Sequence, residues 1–110
     1  MIDTVRMSKR NKIHVHPGEV LKEEFLVPLG ISANHFAVSL GVPANRIAGI
    51  INGERAITGQ TALLFGKAFN TSPEFWIDLQ AHYDLELARA EVSIERIRRA
   101  EKFATKYSLS

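Results

Sequence analysis

Apolar residues recur at helical spacing along nearly all of this chain, and the residues between the runs mark where each helix begins and ends. Residues 1–13 are polar with scattered apolar positions and no period, which predicts a flexible N-terminal arm. His16-Pro17-Gly18 is a helix-start signal. Val20, Leu21, Phe25 and Leu26 keep helical spacing behind it until Pro28-Leu29-Gly30 closes the run. Ser32 then caps a short helix with Phe36, Ala37 and Leu40 on its apolar side, and Gly41 ends it. Pro43 fits the first turn of the next helix, Ile47, Ile50 and Ile51 form its buried side, and Asn52-Gly53 stops it. A fourth helix runs from Thr58 through Ala62, Leu63, Phe65, Ala68 and Phe69 to Asn70. Ser72, Pro73 and Glu74 open a fifth, with Phe75, Trp76, Leu79, Tyr83 and Leu87 in phase. The spacing persists through Ala90, Ile94, Ile97 and Phe103, so the pattern predicts one long C-terminal helix reaching about Lys102. No strand alternation is present, and the fold expected is all-α with five helices.

Two of these helices, joined by the tight turn at Gly41 and crossing over the small Ala37, make a helix-turn-helix, which places its second helix in the DNA major groove. Residues 14–90 form the expected DNA-binding domain, and residues 91–110 a helical extension and tail.

Composition narrows the setting more than the function. The chain has 110 residues, 45% of them hydrophobic and 24% charged, which suits one globular domain with its own core. It has no cysteine, hence no disulfide framework and no thiolate metal site, in keeping with a reducing cytoplasm. No apolar run approaches the roughly 18 residues of a membrane span, so no membrane partner is expected. The formal net charge of +2 would not by itself identify a nucleic-acid binder. Its distribution is more informative: residues 1–12 carry a net +3 and residues 91–110 a net +2, around a middle stretch, 61–90, of net −2.

The segments HPGEVLKEEFL, LGVPANRIAGIINGERAIT, ALLFGKAF and TSPEFWIDLQAHYDLELAR follow one another in an order that resembles the HigA/VapI-type antitoxins of the XRE (lambda-repressor-like) helix-turn-helix superfamily. The resemblance covers about residues 14–90. It implies a five-helix lambda-repressor-like domain that binds double-stranded operator DNA as a homodimer. It also implies neutralisation of a co-encoded HigB-like mRNA interferase toxin.

In that architecture the first turn of the third helix reaches base edges. Asn45 has the amide geometry to pair with adenine, Ala44 suits a thymine methyl, and Arg46 suits a phosphate ahead of a guanine. Ala48 and Gly49 fall on the outward face, where their small size either lets the helix sit deep or means that few bases are read. Ser32, Ala33 and Asn34 at the start of the second helix, and Asn52, Arg55 and Thr58 after the third, are the expected phosphate contacts. Ser32 and Thr58 are equally explained as helix caps, and Asn52 as a C-cap. Half-sites about 34 Å apart call for a two-fold dimer, with the segment from Phe75 through Ile97 as its surface. Toxins of this kind are basic, so the acidic stretch Glu74 to Glu86 is the surface that charge would select for one.

No enzyme, metal or cofactor is expected. His14-x-His16 has no further ligand nearby, the helix-one carboxylates Glu19, Glu23 and Glu24 have ordinary surface spacing, and neither a nucleophile elbow nor a phosphate-cradling glycine loop is present. Two other binding roles stay open: a stand-alone repressor without a toxin, and a protein-binding module that has lost DNA.

Overall fold

In a computed structural model, residues 15–108 are described, and they form six helices and no strand. The expected arm, residues 1–13, and His14 lie outside the described residues. The first helix, α1, begins as Pro17–Val20, passes through a π-helical stretch Leu21–Leu26, and ends as Val27–Leu29. There the Val27 N–H reaches back five residues to the Lys22 carbonyl. The wider turn comes directly before Pro28, whose ring would crowd the Glu24 carbonyl in a regular α-helix. Helices α2 (Ala33–Leu40), α3 (Ala44–Ile51), α4 (Gly59–Phe69) and α5 (Pro73–Glu91) follow.

The expected long C-terminal helix is divided. α5 ends at Glu91, Val92 is extended, and Ser93 starts α6 (Ile94–Lys106) by accepting a hydrogen bond from the Arg96 N–H at 3.1 Å. Apolar phase runs unbroken across this point, but the serine offers the backbone a cap that competes with continuing the helix.

The core joins α1 to α5 around one fully buried indole. Trp76 is ringed by Phe25, Phe65, Phe69 and Phe75 at centroid distances of 5.1 to 6.0 Å, and its Nε1–H donates to Thr71 Oγ1 at 2.9 Å. Leu21 and Leu26 of α1, Phe36 and Ala37 of α2, and Ile47 and Ile50 of α3 complete the interior. Phe36 stacks on Phe69 at 5.1 Å, tying α2 to α4. The aromatic pairs contribute about 0.5–1.5 kcal/mol each beyond their burial, so α2 and α3 share one core with α4 and α5.

α1 and α3 meet backbone to backbone. A Cβ built on Gly18 would lie 1.7 Å from the Ile50 carbonyl oxygen, so only glycine allows α1 to seat against the second half of the helix-turn-helix.

Candidate nucleic-acid interface

The α2–α3 corner is built from its turn outward. Ser32 Oγ accepts from the His35 N–H at 3.0 Å and starts α2. Gly41 ends it with a φ of +72°, a backbone state that side chains disfavour, and the Val42 N–H closes onto the Ala37 carbonyl. Pro43 stands one residue earlier than expected, as the extended N-cap of α3 and not inside its first turn. It provides no side-chain cap, in contrast to the Ser or Thr caps of α2, α4, α5 and α6. Ala44 and Asn45 are exposed at this end, and Arg46 is half-buried.

Beyond α3 the chain doubles back. Asn52 closes the helix, Gly53 turns with a φ of +79°, and the N–H groups of Glu54 and Arg55 both donate to the Gly49 carbonyl, at 2.8 and 3.1 Å. That fold-back lays the Arg55 side chain along α3. A Cβ on Gly49 would fall 2.8 Å from both Arg55 Cγ and Cδ. The expectation of an outward-facing Gly49 is therefore corrected: Gly49 is buried, and its missing side chain is the space that the Arg55 stem occupies. Ala48 alone of that pair is exposed.

The remaining candidates divide by whether their polar atoms are already committed. Ser32 and Thr58 serve as caps, Thr58 Oγ1 accepting from the Thr61 N–H at 3.3 Å. Asn34, Asn45, Asn52 and Arg55 are exposed, and together with Arg46 their side chains make no hydrogen bond or ion pair within the described residues. Ala33 is half-buried at the start of α2. The structure thus brings Gly49 and Arg55 into contact and leaves Asn45 and Arg55 chemically unspent on or beside α3.

Two residues hold this loop: Gln80, which was not singled out from the sequence, and His16, which was read only as part of a helix-start signal and a discarded metal pair. Gln80 is buried in α5, accepts from the Ile57 N–H at 2.7 Å through Oε1, and donates through Nε2 to Asp84 Oδ1 at 3.0 Å. Its signal was a polar residue at a core phase of a helix, between Trp76 and Tyr83. His16 is the N-cap of α1, its Nδ1 accepting from the Gly18 N–H at 2.9 Å. Its ring packs edge-on to Tyr83 at 4.8 Å and sits beside Gly53. Burial lowers the imidazole pKa below its usual value, against the opposing effects of the Arg55 backbone carbonyl and the Asp84 carboxylate. With Nδ1 committed to a backbone N–H, His16 is a structural histidine.

Among the described residues no helix is long and apolar enough to cross a membrane. Residues 21–76 match the Helix-turn-helix family. The chain is 40% identical over 77 residues to virulence-associated protein I of Dichelobacter nodosus, covering 70% of this chain and 71% of that protein. To antitoxin HigA-1 of Vibrio cholerae it is 38% identical over 81 residues, 74% of each chain. Its structure is similar to that of Pseudomonas aeruginosa antitoxin HigA with the higBA promoter, with a TM-score of 0.69 and 38% identity over 71% of this chain and 85% of that one.

Proposed function

This chain belongs to the helix-turn-helix family of HigA-type antitoxins and virulence-associated proteins, and from that membership we propose that it is an autorepressing antitoxin. In this reading it covers its own operator as a two-fold dimer and neutralises a co-encoded mRNA interferase of the HigB kind. The observation that carries the DNA half is the surface of α3: an exposed Asn45 at its open end and an Arg55 side chain laid along it, neither held by another described group. An uncommitted amide suits an adenine edge, and an uncommitted guanidinium suits a phosphate or guanine. Asn34, Arg46 and Asn52 add backbone contacts on either side, while Ser32 and Thr58 act mainly as caps. The antitoxin half is supported by the antitoxin relative in Vibrio cholerae and by the structural likeness to the Pseudomonas protein.

The test is fluorescence anisotropy with duplex from the region upstream of the gene, against scrambled duplex, at two salt concentrations. The expected result is selective binding that weakens with salt as counterions are released. Asn45→Ala should cost about 1–3 kcal/mol and relax selectivity, whereas Arg55→Ala should weaken binding to both duplexes. Equal, feeble binding to both by the unaltered protein overturns autorepression. Co-expression with the product of the adjacent small open reading frame then separates the two regulator readings: restored growth supports the antitoxin, and an innocuous neighbour leaves a stand-alone repressor.

A further inference from the structure

We propose that His16 is a positioning residue for DNA: its neutral imidazole is a strut between the start of α1 and the loop that carries Arg55, and its protonation releases that loop and weakens operator binding. The inference rests on the reading of Arg55 as a DNA contact and adds a proton to the conditions that govern it.

Hydrogen bonding fixes the state of the ring. Nδ1 accepts from the Gly18 N–H at 2.9 Å, so the proton of the neutral ring is on Nε2. The Arg55 backbone carbonyl acts on the ring as an acceptor, and Nε2–H is the one donor a neutral imidazole has. Gly53 of the same loop stands against the ring, where a Cβ would lie 3.9 Å from His16 Cγ. Tyr83 packs on it edge-on, at a centroid distance of 4.8 Å. One side chain thus ties the first turn of α1 to the peptide that follows Arg55.

A second proton cannot be absorbed in place. On Nδ1 it would meet the Gly18 N–H across 2.9 Å, hydrogen against hydrogen, and leave a buried donor without an acceptor. The ring must swing away from α1, and the donor to the Arg55 carbonyl leaves with it. The loop keeps two other anchors, the Arg55 N–H on the Gly49 carbonyl at 3.1 Å and the Ile57 N–H on Gln80 at 2.7 Å. The expected response is therefore a displaced Arg55 on a chain that stays folded.

A proton has a path to the ring, because an open hollow of about 430 Å³ runs past it between α1, the loop and α5. Glu19, Lys22 and Glu23 of α1 line that hollow with His16, Tyr83 and Asp84 flank the ring from α5, and the loop presents the Arg55 carbonyl. The carboxylates favour the imidazolium and Lys22 opposes it. Burial outweighs the attraction and keeps the ring neutral at pH 7.

The test compares the full wild-type chain with His16→Asn between about pH 8 and pH 5, the range in which an imidazole changes charge. Asparagine retains the cap on α1 but is too short to reach the Arg55 carbonyl, and it does not titrate. Without DNA, the wild-type amide resonances of Gly18, Gly53 and Arg55 should shift with the midpoint of the His16 imidazole. With duplex from the region upstream of the gene, His16→Asn should bind about five-fold more weakly than wild type at the alkaline end. That gap should close across the same midpoint, with circular dichroism showing both chains folded. A purely structural cap would change stability and leave the affinity of the folded chain untouched. An imidazole that stays neutral until the chain unfolds, loop amides that ignore its titration, or affinity curves that run parallel each overturn the proposal. Absence of selective binding by the wild type at every pH defeats the operator reading instead. The DNA-free titration of the wild-type chain then decides by itself whether the proton moves the loop, as it does if the variant fails to fold.

Discussion

Gly49 shows how much one absent methyl group can do. Placed on the outward arc of α3 by its helical phase, it looks from the sequence like a site where a longer reader is missing. In the structure the arc is filled by Arg55, whose stem uses the space, while the Gly49 carbonyl fixes the Arg55 backbone. The long polar side chain on this face comes from six residues further along the chain. Gly49→Ala is therefore expected to displace Arg55 and to weaken operator binding about as much as Arg55→Ala does, roughly 1–3 kcal/mol. Anisotropy titrations of both single variants and the double variant check this. The double should be little worse than either single, because both remove the same interaction; additive losses would mean that Gly49 acts some other way.

At the scale of elements, what was legible in the sequence was punctuation. Ser32, Gly41, Thr58, Asn70 and Ser72 each begin or end a helix where their chemistry predicts, because a cap is a local interaction between near neighbours. The π-helical stretch in α1, the break at Ser93 and the burial of Gly49 were not legible. Each is decided by a competition that hydrophobic spacing does not encode: a proline ring against a carbonyl, a serine cap against a continuing helix, a fold-back loop against solvent. The anchoring of that loop by Gln80 is of the same kind, since it joins residues 23 apart in the chain. Gln80→Leu should leave the buried Ile57 N–H without its acceptor and lower stability by about 1–3 kcal/mol. Urea unfolding would measure the loss, and DNA affinity should fall with it as the Arg55 loop loosens. A leucine variant of wild-type stability would show that the Ile57 N–H finds another partner.

Across the whole molecule, His16 is where the start of α1, the loop after α3 and the middle of α5 converge. Its folded-state pKa lies below the value of 6.5 that applies when unfolded. Above that value both states are neutral and its contribution to stability is complete. As pH falls through 6.5, the unfolded chain takes up a proton that the folded chain resists, so stability declines until the folded pKa is passed. Asp84 and the Arg55 carbonyl reduce this decline without reversing it. Thermal melts between about pH 7.5 and 5 should fall more steeply for the wild type than for His16→Asn, which retains capping ability but does not titrate in that range. Parallel curves would remove His16 from the acid response.

The chain contains a single tryptophan, and it is the residue sealed at the centre of the aromatic core. Trp76 therefore gives the protein an intrinsic optical reporter whose emission depends on the integrity of that core alone. Association with a partner at the surface, or occupation of α3, should leave its colour unchanged, while opening of the core should shift it toward the red. Fluorescence and light scattering recorded from one sample can thus follow folding and association as two independent signals, with no label added.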